Sequence, residues 1–332
     1  MIDGSPIFFC KKLNFKKLHK EKQLMNSMKT HIEAYLVHCE LQKRLDAKTI
    51  KAYRTDLLQF YQITQALLPS EITPKVLESY IAHLNQTCKP KTAKRKIASA
   101  KTFFHYLEYK DIISRNPFSK IEIHLREPVI LPKTIPLYTL EQLLQTIYRQ
   151  HRSAKTAYQK KNALRDIAVT EMLFATGIRI CELCSLTPSN VDLHDGTILI
   201  YGKGAKERRI QISNPDVLRI LMEYRLTYAL EIKNANHFFV NQNGRPLSDQ
   251  AVRRMLNKYT TLASIDLHIT PHMFRHTFAT SLLEADVDIR YIQNFLGHSS
   301  IHITEIYTHV TTAKQKDILS TKHPRKNFHF EE

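Results

Sequence analysis

The stretch Thr270-Pro271-His272-Met273-Phe274-Arg275-His276 decides how this chain is read. Thr followed by Pro is a helix opening, because Thr can cap the first turn and Pro is tolerated at the first helical position. In the helix that follows, His272 and Arg275 are three residues apart and share a face. Phe274, Phe278 and Leu282 recur at intervals of four on the other face and are expected to bury. The polar pair then points away from the local core, towards solvent or a ligand. A helix N-terminus adds unpaired N–H groups and the positive end of the helix dipole, so a His, an Arg and a helix start together suit a phosphate. Alone the pattern is weak, since His and Arg at helix starts commonly face only water.

Working outward, Ala175-Thr-Gly177-Ile-Arg179-Ile-Cys181-Glu182-Leu183 places Gly177 at the end of one helix and Arg179 just past the break. Apolar neighbours make Arg179 emerge from a buried corner, where an Arg usually has a specific partner, and Glu182 is placed to orient it. The run Thr197-Ile-Leu-Ile-Tyr201, then Gly202-Lys203-Gly204-Ala205-Lys206, then Arg208-Arg-Ile-Gln-Ile212 reads as a β-hairpin. Its glycines let Lys203 reach into a site; a solvated basic turn is the plain alternative. Leu296-Gly297-His298-Ser-Ser300 ends a helix on a glycine and offers His298 as a donor. Tyr307, between Ile306 and Val310, would ordinarily be a core tyrosine.

The rest of the chain frames these pieces. Residues 1–23 are a polar, basic arm. Residues 24–116 carry apolar stripes at helical spacing (Ile32, Tyr35, Leu36, Cys39; Ile50, Tyr53, Leu57, Phe60), a Thr73-Pro74 opening and a fourth helix expected to open at Thr92. They predict a compact all-α domain. Four prolines, Pro117, Pro128, Pro132 and Pro136, mark a linker over 117–136. A second domain over 137–320 holds the hairpin and further helices, about 215–231, 248–263, 271–284 and 288–296, and 321–332 is a tail. The expected fold class is mainly α, multi-helical, with a small β-hairpin or sheet in the second domain.

Composition narrows the function. The 332 residues carry 49 Lys and Arg against 31 Asp and Glu, a formal net charge of +18. Such a balance points to a polyanionic partner, with ribosomal or membrane-surface binding as the plainer alternatives. Only 7 Gly argues against a Gly-loop nucleotide site, and 5 Cys against a disulfide framework, so a reducing cytoplasm is expected. No apolar window predicts a membrane span, and no signal peptide is read at the N-terminus. The charge is concentrated. Lys89, Lys91, Lys94, Arg95, Lys96 and Lys101 lie together without an acid, as do Arg149, Arg152, Lys155, Lys160, Lys161 and Arg165. The first run reads as phosphate contact, the second as a further phosphate-contact loop or a solvated insertion. Cys181 and Cys184 form a C-x-x-C, but without a second pair they read as core cysteines.

Five motifs in order carry a family resemblance: Thr-Gly-x-Arg-x-x-Glu-Leu at 176–183, Gly-Lys-Gly-x-Lys-Glu-Arg at 202–208, Pro-His-x-x-Arg-His at 271–276, Leu-Gly-His-Ser-Ser at 296–300 and Ile-Tyr-Thr-His-Val at 306–310. The chain resembles the tyrosine recombinases of the phage integrase family, most closely the Xer-like bacterial members, over roughly residues 28–320. Thr49-x-x-x-Tyr53-x-x-Asp56-Leu57-x-x-Phe60 looks like the family's core-binding, SAM-like domain.

The resemblance implies site-specific cleavage and rejoining of DNA through a 3′-phosphotyrosyl intermediate and a Holliday junction, without metal, ATP or other cofactor. It implies Tyr307 as nucleophile, Arg179 and Arg275 on the non-bridging phosphate oxygens, Lys203 as general acid, His272 handling the tyrosine proton and His298 donating to the phosphate. Lys206 and Arg208 join the Lys89–Lys101 cations as expected DNA contacts. The implied assembly is a C-shaped two-domain clamp around the duplex and a homo-tetramer on two double-stranded DNA sites, with a second recombinase or accessory protein as a further partner. The implied setting is the cytoplasm, at the nucleoid, and the role is either integration of a mobile element or Xer-type dimer resolution. A type IB topoisomerase and a catalytically silent DNA-binding regulator are the rival readings.

Overall fold

The computed structural model describes residues 27–122, 132–202 and 207–297. The chain divides into two compact units, with the boundary between Val129 and Ile130. No described helix is long and apolar enough to cross a membrane.

Among the described residues the first unit is built from four helices: α1 (Met28–Leu41), α2 (Ala47–Thr64), α3 (Pro74–Thr87) and α4 (Pro90–Tyr109). Short polar side chains start the first three. Ser27, Asp46 and Thr73 accept from the backbone N–H three residues on, the Asp46 bond to Thr49 being 2.9 Å. The fourth helix opens at Pro90, two residues before the Thr92 start expected from sequence, because the fixed φ of Pro already suits the first helical position. The apolar stripes converge on a core of aromatic rings, including Tyr35, Phe60, Tyr80, Phe103 and Phe104, all essentially without exposure. A 3-10 turn at Pro117–Lys120 drops Phe118 into that core, its ring centroid 5.8 Å from that of Phe104. The first proline of the expected 117–136 linker is therefore packed structure.

Asp56 of α2 is buried in this unit and accepts from Arg95, Lys96 and Ser99 of α4, the Ser99 hydroxyl at 2.9 Å. Lys96, which also donates to Gln59, is only 8% exposed. Its ammonium is spent on joining two helices, which corrects its reading as a phosphate contact. Arg95 shares the same carboxylate but keeps half of its side chain in solvent. Lys89, Lys91, Lys94 and Lys101 are exposed.

The second unit contains α5 (Leu137–Arg152), α6 (Ala157–Thr176), α7 (Ile180–Ser185), β1 (Val191–Asp192), β2 (Thr197–Tyr201), β3 (Glu207–Gln211), α8 (Pro215–Thr227), α9 (Ala229–Ala235), α10 (Asp249–Leu262), α11 (Pro271–Glu284) and α12 (Ile289–Leu296). Helix α6 is central. It packs against α5, α8 and α11, and buries residues all round its circumference. The stretch 148–165 is not a loop insertion. It is the end of α5, a short turn, and the start of α6, which is fixed by a reciprocal cap between Thr156 and Gln159. The acids missing from that stretch come from outside it: Arg165 pairs with Asp166 at 2.7 Å and Lys161 with Glu231 at 2.5 Å.

The three strands form one antiparallel sheet in the order β1-β2-β3. Ile198 faces Ile210 and Ile200 faces Arg208 in the register of β2 with β3. The expected hairpin is thus extended by β1, two residues long and too short to leave an alternation in sequence. The helix expected over 215–231 is two helices. The break comes at Tyr228, whose buried ring is held by a 3.0 Å bond from its hydroxyl to the Lys161 carbonyl.

Candidate active site

Two chain reversals, each at a glycine, bring motif residues together. Helix α6 ends on Gly177, in the left-handed region at φ 57°, and a Cβ there would lie 2.6 Å from the Phe278 ring. Only glycine turns the chain this sharply beneath α11, and the turn delivers Arg179 to the N-cap of α7. Helix α12 ends on Gly297, also left-handed at φ 63°. Its last carbonyls, Phe295 and Leu296, carry the negative end of the α12 dipole.

Both arginines meet at that helix end. Arg275 of α11 donates from Nη1 to the Gly177 carbonyl at 2.9 Å and from Nη2 to the Leu296 carbonyl at 2.6 Å. Arg179 donates from Nη1 to the same Leu296 carbonyl at 3.4 Å and to Glu182 Oε1 at 2.9 Å. Glu182 also accepts from the Arg179 backbone N–H at 3.0 Å, so the orienting role read for Glu182 is visible in the geometry. Arg275 is 4% exposed, so of the two expected directions, solvent or a ligand, solvent is excluded. The face of α11 that carries it is roofed by the Gly177 turn and the end of α12, and their carbonyls replace water. Arg179 keeps a third of its side chain in solvent. Among the described residues its guanidinium is engaged through Nη1.

His272, one turn before Arg275, is exposed at the surface. Its pKa is lowered by partial desolvation and by the cations Arg253, Arg275 and Arg179, so at neutral pH the ring is uncharged and one nitrogen can accept a proton. His276 is pushed down to about 4 by burial, with His272 and Arg275 adding to the effect.

Arg208 has a role that differs from the DNA contact expected of it. It faces inward from β3, 9% exposed at the side chain, and grips Glu182 with both ends of its fork, Nη1–Oε1 at 3.0 Å and Nη2–Oε2 at 2.7 Å. Its Nε donates to the Phe295 carbonyl at 2.9 Å. A Cβ on Gly297 would come within 2.9 Å of the Arg208 side chain, a second reason for glycine there. Burial pushes the Glu182 carboxyl up, but Arg208 and Arg179 outweigh it and hold the pKa below the ordinary value. The signal for this was present in sequence: Arg208 has the same parity as Ile210, the buried residue of β3. The carbonyls of Gly177 and Leu296, and the approach of Arg253 to His272, left no sequence signal.

Lys203, Lys206, His298 and Tyr307 lie outside the described residues. Cys184 is buried and Cys181 exposed, so the core reading holds for one of the two. Among the described residues no group of three His, Cys, Asp or Glu side chains is placed to hold a metal ion.

The phage integrase family model matches residues 139–314, and the phage integrase N-terminal SAM-like domain model matches residues 32–110. A tyrosine recombinase of Agathobacter rectalis is 66% identical over 306 residues, covering 92% of this chain and all of the relative. Tyrosine recombinase XerD of Listeria monocytogenes is 36% identical, covering 89% of this chain and 98% of its own. The crystal structure of XerH site-specific recombinase bound to palindromic difH substrate shares the fold, with a TM-score of 0.70 at 23% identity over 85% of this chain and 82% of that one. With both halves of the chain matched in order and a relative this similar along its full length, the chain belongs to the phage integrase family and is a tyrosine recombinase, a DNA breaking-and-rejoining enzyme.

Proposed function

We propose that this recombinase exchanges strands between specific double-stranded DNA sites, with Tyr307 as nucleophile and Arg179, Lys203, His272, Arg275 and His298 around the scissile phosphate. The observation that carries the reading is the meeting of Arg179 and Arg275 on the Leu296 carbonyl. Two guanidiniums on one small negative dipole form a clamp of the size and charge that a phosphodiester needs. The same place is the negative end of a helix, so an incoming phosphate competes with carbonyls for donors already aimed at it.

The chemistry follows from what each group can do. A phenol of ordinary pKa near 10 is a poor nucleophile at neutral pH. His272, uncharged and exposed beside Arg275, accepts or positions its proton. As the tyrosine oxygen bonds to phosphorus, the bond from phosphorus to the 5′-oxygen breaks and Lys203 delivers a proton to that leaving oxygen. The product is a 3′-phosphotyrosine and a free 5′-hydroxyl. The two arginines stabilise the extra charge on the pentavalent phosphorus, and His298 adds a donor. The phosphodiester's energy is retained in the phosphotyrosine, so attack by a 5′-hydroxyl from the other site reseals the strand without a cofactor. Four subunits on two sites would pass through a Holliday junction.

A library of nicked duplexes with a randomised core tests the reading. Wild type traps a covalent protein–DNA adduct when the short cleaved strand diffuses away, and the recovered DNA identifies the site. Tyr307→Phe is expected to give no adduct while still retarding the same duplex. An adduct that survives the substitution contradicts the assignment.

A further inference from the structure

We infer that Arg208 is a positioning residue whose charge offsets Glu182 and so leaves Arg179 with a net positive charge for its ligand. The inference rests on the reading that Arg179 serves the scissile phosphate. Glu182 is buried beside Arg179 and accepts from it twice, through the backbone N–H and through Nη1. A buried Arg–Glu pair standing alone is neutral, and in a poorly solvated site it attracts an anion little better than a dipole does. Arg208 changes this. Its fork occupies both Glu182 oxygens, at 3.0 and 2.7 Å, and among the described residues its Nε donates to the Phe295 carbonyl. The three side chains together carry one positive charge, and the exposed member is Arg179: its side chain is 32% accessible, against 9% for Arg208 and 6% for Glu182. Of these three side chains, Arg179 is the one that presents the surplus charge.

The arrangement also fixes direction. Glu182 is gripped from the β3 side by Arg208 and from the α7 side by Arg179, so its carboxylate plane cannot swing to capture more of the Arg179 fork. Arg208 ties the same carboxylate to the end of α12 through Phe295, where Leu296 receives Arg179 and Arg275. A lysine at 208 supplies the charge but not the two-point grip.

The test is a charge-compensation cycle on the nicked duplex recovered by covalent capture, read as single-turnover cleavage. Arg208→Gln is expected to slow cleavage about 100-fold, the scale of losing one preorganised electrostatic contact. Adding Glu182→Gln removes the unbalanced carboxylate, and the double variant is expected to cleave at least about tenfold faster than Arg208→Gln alone, a coupling that loss of packing does not produce. Arg208→Lys is expected within about tenfold of wild type. If the double variant is no faster than Arg208→Gln, the inference is wrong. Should Arg208→Gln fail to fold, as judged by circular dichroism, the comparison passes to Arg208→Lys, whose loss of activity to the level of Arg179→Ala would equally overturn it. Binding of inorganic phosphate, which needs no cleavage, is measured on the same proteins. Phosphate affinity that follows the expected order while wild type forms no adduct defeats the recombinase assignment of the site and upholds the role of Arg208; normal wild-type cleavage with no rescue defeats the role of Arg208 alone.

Discussion

Arg275 is held by two backbone carbonyls, and this determines how it responds to change. Its Nη1 and Nη2 reach the Gly177 and Leu296 carbonyls, one each. A single ammonium cannot span both. Arg275→Lys is therefore expected to lower cleavage by about 100-fold while duplex affinity stays within about threefold, since most affinity comes from other cations. A filter-binding curve weakened in step with cleavage would contradict this. His276 gives a pH effect with a definite sign. Its folded pKa, about 4, lies below the ordinary 6.5, so between those values the unfolded chain binds a proton that the folded chain refuses. Stability from this group is full above pH 6.5 and is lost as pH falls towards 4, by an amount on the order of 2 kcal/mol. Urea melts of His276→Gln are expected to show a shallower loss over that window; an unchanged slope would remove His276 as the cause. At this scale sequence pointed to candidate residues and to the Glu182 contact of Arg179, and not to the main-chain atoms that hold Arg275. Two acceptors of Arg275 are main-chain atoms brought together by tertiary contact, and Arg208 was legible only through its parity with Ile210.

Helices were the most legible elements, because capping side chains and apolar spacing act locally. The helices opening at Met28, Ala47 and Pro74 begin one residue after Ser27, Asp46 and Thr73, and the helices ending at Thr176 and Leu296 stop where a glycine takes positive φ. What failed needed a partner outside the element itself. The strand Val191–Asp192 exists only because Thr197–Tyr201 lies beside it, and the break at Tyr228 is fixed by a bond to Lys161. The helix Pro90–Tyr109 shows the same limit for charge. Its cations look equivalent in sequence, yet Lys96 is turned inward onto Asp56 while Lys91 is exposed. Lys91→Ala is expected to reduce the salt dependence of duplex binding, the slope of log K against log salt, by about 0.9. Lys96→Ala is expected to leave that slope unchanged and to lower the urea midpoint instead, because it strips a partner from a buried carboxylate. The opposite pattern would return Lys96 to the DNA-facing surface.

Across the whole molecule, the net charge of +18 separates into parts with different duties. Some cations sit at exposed positions, as Lys89, Lys91, Lys94 and Lys101 do. Others, Lys96, Lys161, Arg165 and Arg208, are paired with carboxylates that hold elements together. A third set, Arg179 and Arg275, gathers at one helix end. Composition pointed to a polyanion, and only the ordered motifs and the meeting of these two arginines narrow that to a phosphate that is attacked rather than merely bound. The central claim is that the attacking atom is the Tyr307 hydroxyl oxygen. The most direct measurement is peptide mapping of the trapped adduct after protease and nuclease digestion. The account predicts a nucleotide mass on the peptide containing Tyr307, released as a 3′-phosphotyrosyl species; a nucleotide on any other residue, or a 5′-linked one, would contradict it.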